Sequence, residues 1–164
     1  MINSKLIYKV LGQLLFIEAF LLFISLLVAY YYQQDDIFAF IVATLITIGG
    51  GLILKWKGHG ADNSMSRRDA YLVVSLSWII FSLFGTLPFM VSGYINNFTD
   101  AYFETMSGFT TTGATILDDV ECVPHGLLFW RSLTQWIGGL GIVFFTIALL
   151  PSLVGGQTKV FAAE

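Results

Sequence analysis

The feature that most restricts the fold of this chain is a mismatch of lengths. Long apolar runs flank a short stretch, Asp100 to Leu117, that reads DAYFETMSGFTTTGATIL. A helix over residues 100–109 would be about 15 Å long, whereas the hydrocarbon core of a bilayer is about 30 Å thick. Such a helix reaches the middle of a membrane and cannot cross it. Thr110, Thr111 and Thr112 follow. Their β-branched side chains lose freedom in a helix and favour extended backbone, and Gly113 admits conformations closed to other residues. Half a helix in and an extended strand out is a re-entrant loop, tolerated at membrane depth only where it is buried in protein or lines water. Main-chain carbonyls along such a strand can replace the hydration shell of a cation.

Composition agrees with a membrane setting. The chain is 56% hydrophobic and 12% charged, whereas a soluble domain carries about 25% charged residues. The net charge of -3 says little, because location governs the effect of charge in membrane proteins. The lone Cys122 excludes an internal disulfide framework or a cysteine metal cluster. It reads as a plain thiol near one membrane face. Lys5 and Lys9 before an apolar run imitate a signal peptide, but the run from Val10 to Tyr32 is too long and no A-x-A site follows.

In order, the pattern predicts a first span over Val10–Tyr32, interrupted only by Glu18, and a second over Ile37–Leu54. A polar connection follows at 55–69, then a third span over 70–91 with Pro88 near its end. Next come a pore helix over 100–109 with Thr99 or Asp100 as N-cap, a candidate filter over 110–114, and a last span over 126–150. Residues 151–164 are expected to be a cytoplasmic connection toward a next repeat. The fold class is an all-α membrane protein: two leading transmembrane helices at 1–54, then one helix–pore-loop–helix unit at 70–150. With the loop re-entrant, Lys5, Lys9, Lys55, Lys57, Arg67, Arg68 and Lys159 share one side. The positive-inside rule makes that side, and the N-terminus, cytoplasmic. The acids at 35–36 and 118–121 fall on the other side, where carboxylates would concentrate cations or merely keep a loop soluble.

Thr110, Thr111, Thr112, Gly113 and Ala114 are the ion-binding candidates, through backbone carbonyls, with potassium expected at Thr111, Thr112 and Gly113. The bland reading is a polar turn between helices. Asp100 and Glu104 sit toward the positive end of the pore helix, and its negative end points at the membrane centre. Arg131, costly in lipid, either pairs with Glu104 or Asp100 or snorkels to the interface. Gly138, Gly139 and Gly141 suit close helix packing rather than a phosphate loop. His59 and His125 lack partners at metal-ligand spacing, Asn97-Phe98-Thr99 fits the N-glycosylation pattern, and no nucleophile–base pair points to an enzyme.

FETMSGFTTTGAT, followed by FWRSLTQWIGGLGIVFFTIALLP, resembles the first pore repeat of the TrkH/KtrB potassium-transport superfamily. The likeness extends back through the two preceding apolar segments. It implies an M1-P-M2 unit, passive potassium uptake across the inner membrane, and a glycine at position 113 that accompanies potassium permeation. It also implies that Glu18 lies outside the pore, in a structural pair or an assembly contact, with a transport role as the alternative. Family members carry four such units on one chain, so the resemblance makes this chain the first part of a longer protein, holding one of the four. They work as homodimers with cytoplasmic nucleotide-binding, TrkA-like regulatory subunits. No covalent cofactor or nucleic acid is expected; the lipid bilayer and the remaining repeats are the other partners. The rival readings are a small channel assembled from four copies of this chain, and a non-transporting membrane scaffold.

Overall fold

The computed structural model describes residues 2–62, 64–117, 119–120 and 122–141. Helix α1 spans Ser4–Tyr32, starting six residues before the apolar run because the Asn3 side chain accepts from the Leu6 amide at 3.2 Å. Lys5 and Lys9 are ordinary helix residues whose polarity hides the first turns from a hydropathy reading. Helix α2 spans Ile37–Lys57, with Lys55 and Lys57 in its last turn beside the negative helix end. Helix α3 spans Arg67–Gly85 and starts at a capping box in which Ser66 and Asp69 bond each other's backbone. The polar connection expected at 55–69 is therefore shorter at both ends.

The third apolar run is not one helix. Pro88 cannot supply the amide that would continue the ladder to the Phe84 carbonyl. α3 accordingly stops at Gly85, and a short helix, α4 at Leu87–Val91, follows Thr86. Helix α5 spans Phe98–Phe109 and is capped by Asn97, whose side chain accepts from the Thr99 amide at 3.0 Å. The cap is thus Asn97 rather than Thr99 or Asp100, and the helix begins two residues before the expected start. A last helix, α6, covers 125–141 of the described residues. The rest of the expected last span and the 151–164 connection with Lys159 lie outside them. All elements among the described residues are helical, and α1, α2 and the α3–α4 run are long and apolar enough to cross a membrane.

α1 and α2 form a tight pair: a Cβ on Gly12 would stand 2.9 Å from the Gly51 carbonyl oxygen. The main core joins Leu22 of α1, Phe40 of α2, Phe89 of α4, Phe109 of α5 and Trp130 of α6. A smaller cluster of Ile7, Leu11 and Val73 joins α1 to α3. Phe20, Leu27, Phe38 and Leu45 remain exposed, as suits helices whose solvent is lipid.

Hydrogen bonds sort the loops to two ends. The Asn3 amide donates to Asp69 Oδ1 at 3.0 Å, placing the start of α1 beside that of α3. At the other end the His125 amide donates to Gln34 Oε1 at 2.6 Å, and the Leu127 amide to Asp36 Oδ2 at 3.2 Å. The α1–α2 turn therefore caps α6, an anion at a helix N-terminus. The His125 ring stacks on Tyr32 with centroids 4.0 Å apart.

Candidate functional site

α5 enters and its chain returns at the same end of the bundle. A cleft of about 490 Å³ is lined both by residues preceding or opening the helix, Asn96 and Asp100, and by residues after the loop, Ile116 and Cys122. Between them the threonine run departs from the extended strand expected. Thr110 closes the helix at φ -82 and ψ 2, and Thr111 is left-handed at φ 56. The Thr111 amide donates to the Gly108 carbonyl at 2.9 Å and the Thr112 amide to Ser107 at 3.0 Å. That pair of bonds is a Schellman stop, whose left-handed position is normally glycine. A β-branched residue there is strained. Gly113, at φ 75, is the residue type that such a conformation suits.

Helix closure leaves the following carbonyls without partners. Among the described residues, nothing donates to the carbonyls of Thr110, Thr111, Thr112 or Gly113, and these residues are exposed. Exposed carbonyls without a protein donor are left to water or another ligand. Ala114 differs: its carbonyl accepts from Ser107 Oγ at 2.6 Å, anchoring the return strand to the helix it leaves. The Thr110 and Thr112 hydroxyls lie 2.8 Å apart, and Thr110 Oγ1 also donates to the Met106 carbonyl.

Glu104 holds the loop from behind. Its buried carboxylate accepts from Thr115 Oγ1 at 3.0 and 2.9 Å, from the Ile116 amide at 3.0 Å and from Arg131 Nε at 2.5 Å. One side chain thus ties α5 to the return strand and to α6. Arg131 pairs with Glu104 and not with Asp100, which lies in the first turn of α5 beside the cleft. α6 crosses the end of α5 closely enough that a Cβ at Gly138 would collide with the Phe109 carbonyl, and one at Gly108 with Thr134 Oγ1. Trp130, fully buried, donates from Nε1 to the Gly85 carbonyl at 3.0 Å. Cys122 Sγ lies 3.0 Å from Asp119 Oδ2, and that carboxylate pushes the thiol up, leaving it a poor nucleophile. Asp118 and Glu121 lie outside the described residues.

Sequence reading missed Ser107, Thr115 and Thr134. Ser107 and Thr115 answer a carbonyl and a carboxylate across the turn of the loop, while Thr134 bonds locally to the Arg131 carbonyl and matters through its close approach to Gly108; residue type signals none of these. Of the readings of Glu18, the structural pair finds no support among the described residues: the side chain is 1% exposed and neither oxygen has a partner there.

A family model described as TrkH, cation transport protein, matches residues 33–164. The chain is 37% identical to the Trk system potassium uptake protein TrkH of Halomonas elongata over 163 residues, 99% of this chain and 34% of that protein. It is 35% identical to TrkH of Escherichia coli K12 and 33% identical to the Trk system potassium uptake protein TrkG of the same strain, in each case over 99% of this chain and 34% of the relative. The crystal structure of the potassium transporter TrkH from Vibrio parahaemolyticus superposes with a TM-score of 0.83 at 31% identity, covering 90% of this chain and 32% of that one. The chain therefore spans about a third of the length of these relatives. With a family model matching more than half of its residues, the chain belongs to the TrkH family of cation transport proteins.

Proposed function

We propose that this chain supplies one of the pore loops through which a complete potassium-uptake protein conducts its ion. The observation that carries this reading is the run of unpaired carbonyls from Thr110 to Gly113, set at the end of α5. The carbonyls of Thr111, Thr112 and Gly113 would contact potassium directly. Ala114, held by Ser107, lies at the edge of the site. The C-terminal end of α5 faces the same point with partial negative charge, so no carboxylate is needed beside the ion. Potassium, rather than another cation, is supported by the names of the relatives. Asp100, Glu104 and Arg131 support the loop and stay off the ion path.

A cation filter needs carbonyls converging from several sides, and the relatives' greater length supports further repeats on one polypeptide over four copies of this chain. Inward potassium movement is passive, gaining about 2.3 kcal/mol per 100 mV. The basic bundle end faces the cytoplasm of an inner membrane, with homodimerisation and a nucleotide-binding regulatory subunit as further elements of the reading. Rubidium uptake by the complete protein, compared with its Gly113→Asp variant, tests the proposal. Loss of uptake at unchanged membrane abundance is expected. Equal uptake by the two proteins overturns the filter and favours the scaffold reading.

A further inference from the structure

We propose that Glu18 is a proton-binding site at the back of the pore loop, seated at the Gly85 joint as the neutral acid, and that losing its proton unseats α5. Elements from four parts of the chain meet at Gly85. A Cβ there would lie 3.4 Å from Glu18 Oε1, 2.6 Å from Thr105 Cγ2 and 3.2 Å from the Phe109 ring, and its carbonyl accepts from Trp130. The joint is also where α3 breaks. Thr105 and Phe109 belong to the half of α5 that presents the filter carbonyls, so whatever moves Gly85 moves the backing of the loop.

The surroundings of Glu18 suit an acid and not a carboxylate. An ionised carboxylate needs donors, and neither Glu18 oxygen has a hydrogen-bond partner among the described residues. The Thr105 hydroxyl, on the residue that meets Glu18 at Gly85, donates instead to the Ala101 carbonyl at 2.7 Å. Cations on the packed elements are no closer to helping. Lys5 and Lys9 of α1, Lys57 of α2 and Arg68 of α3 lie toward the bundle end that holds Asp69, and the Lys55 ammonium of α2 sits over the Phe16 ring, 5.7 Å from its centroid. On α5 and α6, Asp100 and His125 lie at the cleft end, while Glu104 and Arg131 are closed on each other. An uncompensated buried charge is strongly destabilising. A proton removes the charge and leaves a well-packed side chain.

The pore reading supplies only the transport readout of this inference; its other tests are independent of flux. In the complete protein in lipid nanodiscs, the infrared difference between wild type and Glu18→Gln at neutral pH should show a protonated-carboxyl C=O band missing from the variant. The thermal midpoint of the wild type should fall on alkalinisation relative to Glu18→Gln. Rubidium uptake should follow the same pattern, several-fold lower at alkaline pH in the wild type and flat in the glutamine variant, while Glu18→Ala is impaired throughout. A carboxylate band in place of the acid band overturns the proposal. So does the same pH dependence of the midpoint in the wild type and the variant, or a Glu18→Gln protein that folds with the alanine variant's defect. Absence of uptake in the wild type itself would instead remove the conduction reading, with the infrared and melting results still deciding the state of Glu18.

Discussion

Thr111 illustrates how much one backbone angle decides. A left-handed residue other than glycine costs about 1–2 kcal/mol, and glycine gives up about 0.5–1 kcal/mol in chain entropy at an ordered position. Thr111→Gly should therefore leave the thermal midpoint of the complete protein unchanged or slightly raised. The threonine side chain restricts the rotation of the carbonyls on either side, so the same variant should lower the ratio of potassium to sodium flux at least several-fold. Paired uptake and melting measurements check both halves; a lower midpoint with intact selectivity would show that the threonine serves stability instead. Asp36 makes the complementary case. Burial pushes its carboxyl above its ordinary value of 3.8, opposed by the backbone amides of Leu127, Asp36 and Gly126 and by the nearby His125. The folded chain thus holds this proton more tightly than the unfolded chain. The corresponding stability is full below the ordinary value and is lost as pH rises through the raised folded value. Asp36→Asn keeps an oxygen for the Leu127 amide without the buried charge. Its melting midpoint should match or exceed wild type at neutral pH and vary less across the acid range.

At the scale of elements, the loop is held by α6 through one ion pair and one close crossing. Removing one member of a buried pair costs about 3–5 kcal/mol because the other is left uncompensated. Arg131→Gln should lower membrane yield, melting midpoint and rubidium uptake together, whereas Glu104→Gln/Arg131→Gln should recover part of the loss. A double variant no better than the single would mean that the pair itself, and not the orphaned carboxylate, carries the stabilisation. The crossing offers its own control. Gly138→Ala would drive a methyl into the Phe109 carbonyl and must push α6 off the end of α5. Gly139→Ala, whose nearest neighbour is Thr111 Cγ2 at 3.9 Å, has room. Uptake and melting should collapse in the first and stay near wild type in the second, although the sequence offers two adjacent glycines with nothing to tell them apart.

Across the whole molecule, the leading pair α1–α2 is part of the repeat's support. Gln34 and Asp36 cap α6 at one end, Asn3 holds Asp69 at the other, and Glu18 reaches the joint between them. Deleting α1 and α2 from the complete protein should therefore reduce the yield of folded protein even with everything from α3 onward intact. Size-exclusion profiles of the membrane extract would check this, and an unchanged monodisperse peak would show that the rest of the protein stands without the leading pair.

Apolar runs and their lengths settled, without coordinates, that this chain inserts into a membrane and that the segment before the threonines is too short to cross. Both follow from local hydrophobicity and the fixed rise of a helix. The Arg131 problem was legible too, since a charge in a span demands a partner, although Glu104 and Asp100 were equal candidates until packing chose. Packing alone supplied the left-handed Thr111, the Ser107 anchor on Ala114, the break at Gly85 and the unpartnered Glu18. Each depends on which atoms meet across elements remote in sequence, and residue type leaves that open because the same threonine or glutamate is equally at home in many local conformations.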